Sequence, residues 1–281
     1  MYKIYFADKD TYITNKFVNG ISKVSSSVGH ASTIDIYKLK NITSAALGSP
    51  ELSRGLIHFD IDDLVEMYQS GSIDVNHSSF KSYIKLNDVY GGQTTPANFE
   101  LVLSPLSRSF DEGLGKDIVY LSDYDVANFL TSSFADGLWN LSGAGFGAPL
   151  GYIGGSDFFT TGVISNNNVN FQLTQSFSSG FENLVLDVTP IISATLANLI
   201  PNNGFRLAFS KGIEDNNQTY FVKRFASRHA YDATLQPTLS VQFDDSISDD
   251  AATMRFNSSG SLFLYNYGQD RSEEHTSETP V

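Results

Sequence analysis

An antiparallel all-β fold, a β-sandwich or jelly roll with short connector helices, is what this sequence predicts. Three observations carry that expectation. Ten short runs alternate apolar and polar side chains with period two, as half-buried strands do. Gly, Asn, Ser and Pro punctuate the chain between them, as tight turns require. Charge is sparse, at 17% of residues, while aromatics reach 13%, a balance that suits a pleated, half-buried surface.

Taken in order, residues 2–7 and 11–15 open the chain as strands. Residues 33–39 follow, with Ile34, Ile36 and Lys38 on one face. Residues 55–61 (Leu56, Ile57, Phe59, Ile61) are apolar enough for a central strand. Residues 80–87 alternate cleanly, with Phe80, Ser82, Ile84 and Leu86 against Lys81, Tyr83 and Lys85. Residues 99–103, 183–188, 205–209, 220–225 and 238–243 complete the set. The core expected from them is Leu56, Ile57, Phe59, Ile84, Leu86, Leu101, Leu103, Leu184, Leu186, Leu207, Phe209, Phe221, Leu239 and Val241.

Three connector helices are expected. Residues 62–68 begin with Asp62 and Asp63 and stop at Gly71, in keeping with the helix dipole and the C-cap rule. Residues 123–131 allow a turn or two. Thr189 reads as an N-cap with Pro190 at the first helical position, followed by residues 191–199 up to Pro201. Asn166-Asn167-Asn168 and Asp215-Asn216-Asn217 read as turns.

The charge balance excludes several functions. Eighteen Lys and Arg against 31 Asp and Glu leave a net charge of −13. That is wrong for a nucleic-acid partner, which rewards a basic surface, and for an anionic membrane. No run approaches the ~18 apolar residues of a membrane span. With no Cys, disulfides, thiol nucleophiles and Cys-based metal sites are out. The N-terminus is charged by Asp8 and has no apolar run of signal-peptide length.

Catalytic motifs are not found. Asp111 and Glu112 are adjacent, and neighbouring side chains on an extended chain diverge, so they do not form the facing carboxylate pair of a glycosidase. His30, His58, His77, His229 and His275 show no H-x₃-H spacing, so no metal centre is expected from them. There is no G-x-S-x-G elbow, and the glycine-rich stretch at 143–147 lacks the Lys and helix of a phosphate loop. Asp8-Lys9-Asp10, Asp60-Ile61-Asp62-Asp63 and Asp123-Tyr124-Asp125 offer hard oxygens for a structural Ca²⁺, none with EF-hand spacing; no other cofactor is expected. Tyr124, Trp139 and Tyr152 lie in or near loops and are the candidates for stacking on a glycan. Trp139 also reads as a residue closing the core edge.

The order of several short motifs resembles the DNRLRE-type β-sandwich domain of bacterial surface proteins and carbohydrate-active enzymes. The matching pieces are Asp10-Thr11-Tyr12, the strand from Arg54 to Asp60, Phe110-Asp111-Glu112-Gly113-Leu114-Gly115 with Trp139 downstream, Asp187-Val188-Thr189, and Ser227-Arg228-His229 before Pro237. His229 stands where that family carries Glu, and Phe110 where it carries Trp. The resemblance implies structural roles for Arg54, Asp60, Asp111, Glu112 and Arg228: Asp60 caps a turn, and Arg228 bridges to a carboxylate across the sheet. Residues 28–35, 110–120, 221–228 and 243–250 also resemble virion structural proteins of marine tailed phages. That likeness implies a non-enzymatic virion component, tail or fibre associated. Its partners would be other virion proteins, further copies of itself and a host-surface glycan, without nucleic acid or membrane. The alternative is a carbohydrate-binding module of a bacterial surface or polysaccharide-degrading protein.

Three regions are expected: a sandwich over 1–245, an acidic linker and the start of a further, cut-off module over 246–270, and a tail over 271–281. That tail (Arg271 to Val281) resembles the translation of a sequencing-adapter oligonucleotide and is left out of the fold reasoning.

Overall fold

The computed structural model describes residues 1–40, 50–145, 157–164, 167–244 and 256 of the chain. In chain order, β1 is Tyr2–Thr14, β2 Phe17–Val18, β3 Ile21–Ser22, β4 Thr33–Lys40 and β5 Pro50–Phe59. Helix α1 is Asp62–Gln69, then β6 is Lys81–Leu86, β7 Phe99–Pro105, β8 Thr131–Ser133, β9 Gly137–Leu138, β10 Thr161–Ile164, β11 Asn167–Asn170, β12 Leu173–Phe177 and β13 Leu184–Asp187. Helix α2 is Thr189–Leu196, β14 Phe205–Phe209, α3 Lys211–Asp215, β15 Tyr220–Ala226 and β16 Thr238–Gln242. Met1–Asp244 cluster as one unit and Asp245–Val281 as another.

The fold is an antiparallel all-β sandwich whose sheet nearly closes on itself. The strand order is β12-β7-β14-β5-β1-β16-β6-β13, with β4 pairing both β5 and β15. Strand β1 joins the two halves. The sequence suggests two opening strands; the structure makes one, with a register shift between Ala7 and Lys9. Tyr2–Phe6 pair with β16, while Ala7 and then, past the shift, Lys9–Thr14 pair with β5. An extra residue at a bulge turns over the edge along which a strand bonds. Accordingly Ala7 N–H donates to Pro237 O, while Asn15 N–H donates to Leu52 O. On the far side, Ala226 N–H donates to Asn87 O and Val89 N–H to Arg224 O, so β15 reaches the chain leaving β6.

Alternation decides what faces inward. In β6, Ser82, Ile84 and Leu86 are buried and Lys81, Tyr83 and Lys85 exposed. Ile34, Ile36, Ile57, Phe59, Leu101, Leu207, Phe209, Phe225, Leu239 and Val241 join them in the main core. The Phe99 and Phe177 rings stack at 4.8 Å, and Phe177 meets Phe225 edge-on at 6.4 Å, tying β12 to β15. A second core lies on the opposite face of β1 and β5. There Ile13 and Leu56 meet Leu106, Phe110, Ala127, Trp139, Ala144 and Phe158, brought by the long segment after β7.

Several expectations are corrected. Phe221 is 49% exposed, because β15 shifts register between Tyr220 and Lys223. No helix forms over 123–131. Instead the buried Asn128 amide donates to Asp123 O, and its oxygen accepts from Leu130 and Thr131 N–H, which knots the segment into turns. Helix α2 starts one residue early, at Thr189, whose hydroxyl accepts from Ser82 N–H at 2.8 Å. Asn167 and Asn168 lie in β11 rather than a turn. Among the described residues, no helix is long and apolar enough to cross a membrane.

Candidate functional site

Three motif residues far apart in sequence meet beside the β1 bulge. Arg228 forks onto Glu112, with Nε to Oε1 at 2.5 Å and Nη2 to Oε2 at 2.6 Å. Asp10 N–H donates to the same Oε1 at 2.9 Å, and Arg228 N–H donates to Asp10 Oδ2 at 2.6 Å. Asp10 is fully buried, and its Oδ1 has no hydrogen-bond partner. Burial, with the Glu112 charge adding to it against the Arg228 amide, pushes the Asp10 carboxyl up to about 8. The Glu112 fork, outweighing burial, holds the Arg228 guanidinium above its ordinary range.

The loops that carry these side chains touch backbone to backbone. A Cβ on Gly29 would sit 2.1 Å from Glu112 O, and one on Gly115 only 1.6 Å from Ser27 O. Only glycine permits that approach, which gives the glycines around Glu112 a physical reason. His30 N–H donates to Gly115 O at 2.8 Å. On the third segment, the Ser227 hydroxyl donates to Ala31 O at 2.6 Å, and His229 N–H donates to Ser227 Oγ at 3.0 Å. The His30 and His229 rings lie 4.4 Å apart. Burial lowers the His229 pKa. Sequence spacing could not expose this pair, because the two histidines sit on loops that only the closed sheet brings together.

A second charged cluster lies under the long segment. Arg54, 4% exposed, forks onto Glu214 at 2.9 and 2.8 Å and donates to Gly143 O at 2.6 Å. Arg206 is fully buried, donates to Ala144 O at 2.7 Å, stands 3.6 Å from Glu214 and lies over the Phe158 ring at 4.5 Å. Burial and the neighbouring Arg54 charge pull Arg206 below the ordinary guanidinium range, against Glu214 and Asp157. Asp157, also fully buried, accepts from Asn140 and Leu141 N–H and pairs with Arg108 at 3.3 Å. Sequence reasoning singled out Arg54 but not Arg206, Glu214 or Asp157.

The other sequence-derived residues stand apart. Asp60 Oδ1 accepts from Asp62 N–H at the start of α1. Asp111 diverges from Glu112 and accepts from Phe134 N–H. Of the acidic triplets, Asp8 pairs with His58 at 2.6 Å, and Asp123 accepts from Asp125 N–H. Tyr124 is 64% exposed. Trp139 is corrected as a stacking surface: it is 5% exposed in the second core and donates from Nε1 to Asn128 O at 2.8 Å. Tyr152 lies outside the described residues.

Taken together, the Asp10–Glu112–Arg228 group anchors loops, and the Arg54–Glu214–Arg206 group holds the long segment on the sheet. No protein-family model matches the chain, and neither does any curated protein.

Proposed function

We infer that this chain is a non-catalytic β-sandwich component of a phage particle, tail or fibre associated, with its loop face turned toward a partner or a host-surface glycan. One observation carries the reading. The carboxylates placed by the ordered motifs are committed to structure, Glu112 to Arg228 and Asp111 to a loop amide, while the same segment exposes apolar rings. Tyr120 is 87%, Phe134 78% and Tyr124 64% exposed. Rings with one face free are what protein and sugar partners stack against. Protein contact and glycan contact share this surface, and a particle protein uses both.

Sequencing outward from the coding region tests the assignment. Neighbouring genes for tail sheath, baseplate or capsid are expected; neighbours encoding polysaccharide-degrading enzymes would move the chain to the carbohydrate-binding reading. A glycan array on the purified protein and on Tyr120→Ala/Tyr124→Ala then tests the surface. Any glycan binding is expected to drop at least tenfold in the double variant, and binding that survives would place the contact elsewhere.

A further inference from the structure

We propose that His30, Glu112 and His229 bind a divalent transition ion, with Zn²⁺ the best fit. One ligand atom from each lies within 4.8 Å of the other two. His229 Nε2 stands 3.4 Å from Glu112 Oε1. That is too long for a charge-assisted hydrogen bond, which closes to about 2.7–2.9 Å. It matches the separation of two ligands on one tetrahedral ion, about 3.3 Å for metal–ligand bonds of about 2.0–2.1 Å. His229 Nε2 is also shut off from solvent and has no hydrogen-bond partner, so a lone pair aimed at an ion would satisfy it. Two imidazoles and one carboxylate are a recurring three-ligand Zn²⁺ set that leaves a fourth position open. Imidazole donors disfavour Ca²⁺ and Mg²⁺, which demand oxygen.

The surroundings are organised as a metal site requires. Ligating carboxylates are held by outer hydrogen bonds, and Glu112 has three, from the Arg228 fork and Asp10 N–H. The His30 and Glu112 loops cannot separate, because Gly29 rests against Glu112 O and His30 N–H binds Gly115 O. Ser227 ties the His229 loop to Ala31. His30, the third ligand, is only partly buried. The Arg228 charge opposes a cation and limits the affinity. The ion would clip together three loops distant in sequence and so stabilise the end of the sandwich where they meet.

The full chain, stripped with a chelator, is titrated with Zn²⁺ at pH 7.5 by calorimetry and with Co²⁺ by visible absorption. Expected are one ion bound through this site, a raised melting temperature and the intense bands of four-coordinate Co²⁺. His30→Ala and His229→Ala should each weaken Zn²⁺ binding at least tenfold, whereas His77→Ala should leave it unchanged. If His229→Ala does not fold, His30→Ala decides, since it removes no hydrogen bond of the His30 ring to protein. No binding below millimolar Zn²⁺, binding unchanged in His30→Ala, or only the weak bands of six-coordinate Co²⁺ would each overturn the proposal.

Discussion

Glu214 lies between two buried arginines, Arg54 and Arg206. Removing one partner of a buried ionic network leaves the others desolvated and uncompensated, which costs far more than the network contributes net. Glu214→Gln is therefore expected to lower stability at pH 7 by about 3–5 kcal/mol. The effect should depend on pH. Burial works to raise the Glu214 pKa, but the Arg54 charge and fork, with Arg206, outweigh it and hold the carboxyl below its usual range. A lowered folded pKa contributes stability above the unfolded value of about 4.3 and loses it as pH falls through the folded value. The variant should thus lose less stability than the wild type on acidification below about pH 4. Urea titrations at pH 7 and pH 3 measure both effects. A loss under about 1 kcal/mol at pH 7 would show that the Gly143 and Ala144 carbonyls satisfy the arginines unaided. Of this cluster only Arg54 was legible beforehand, through its motif; Glu214 sits in a short polar stretch without hydrophobic periodicity.

At the scale of the element, β15 shows how one bulge reverses a residue's face. Period-two counting puts Phe221 and Phe225 on the same side. The register shift between Tyr220 and Lys223 breaks the count, so Phe225 is fully buried and Phe221 half exposed. Lys223 follows Phe225 inward, donating to Asp88, Gly180 O and Glu182 O, with its ammonium 4.7 Å from the Phe225 ring centroid. Burial lowers the Lys223 pKa despite Asp88. Phe225→Ala should cost about 3–5 kcal/mol as a core cavity, and Phe221→Ala no more than about 0.5 kcal/mol. Equal losses in thermal or denaturant unfolding would show that the bulge is absent in solution. The regular strands were legible residue by residue, since β6 alternates strictly and β14 carries Phe205, Leu207 and Phe209 on its inward face. Bulges were not, because they answer to the neighbouring strand.

For the whole molecule, the decisive contacts are long-range. Strand β1 pairs with β16, the last strand of the described sandwich, and Phe243 N–H donates to Met1 O. Loop-closure entropy must be met before such pairs form, and sandwiches of this kind refold in milliseconds to seconds. Trp139 is the one Trp in the chain and sits in the second core, so its fluorescence reports that core while far-UV circular dichroism reports the sheet. Both signals should recover with one rate, because the second core needs β1 and β5 as its floor. Fluorescence recovering before the sheet would show that the long segment packs on its own.

The chain by itself determined the strand-forming runs, the inward face of most of them and the helix after Asp62. Those properties are local: period-two alternation states which side of a strand is apolar, and the acidic pair Asp62 and Asp63 suits the first turn of a helix. Only the tertiary structure decided that residues 2–14 form one strand joining the two halves of the sheet, that Trp139 is covered, and that Arg206 and Glu214 are buried together. Only it brought His30 and His229 to the same carboxylate. Alternation encodes a face but not a neighbour, and neighbours are chosen when the sheet closes, by pairing and packing between segments whose separation along the chain carries no signal.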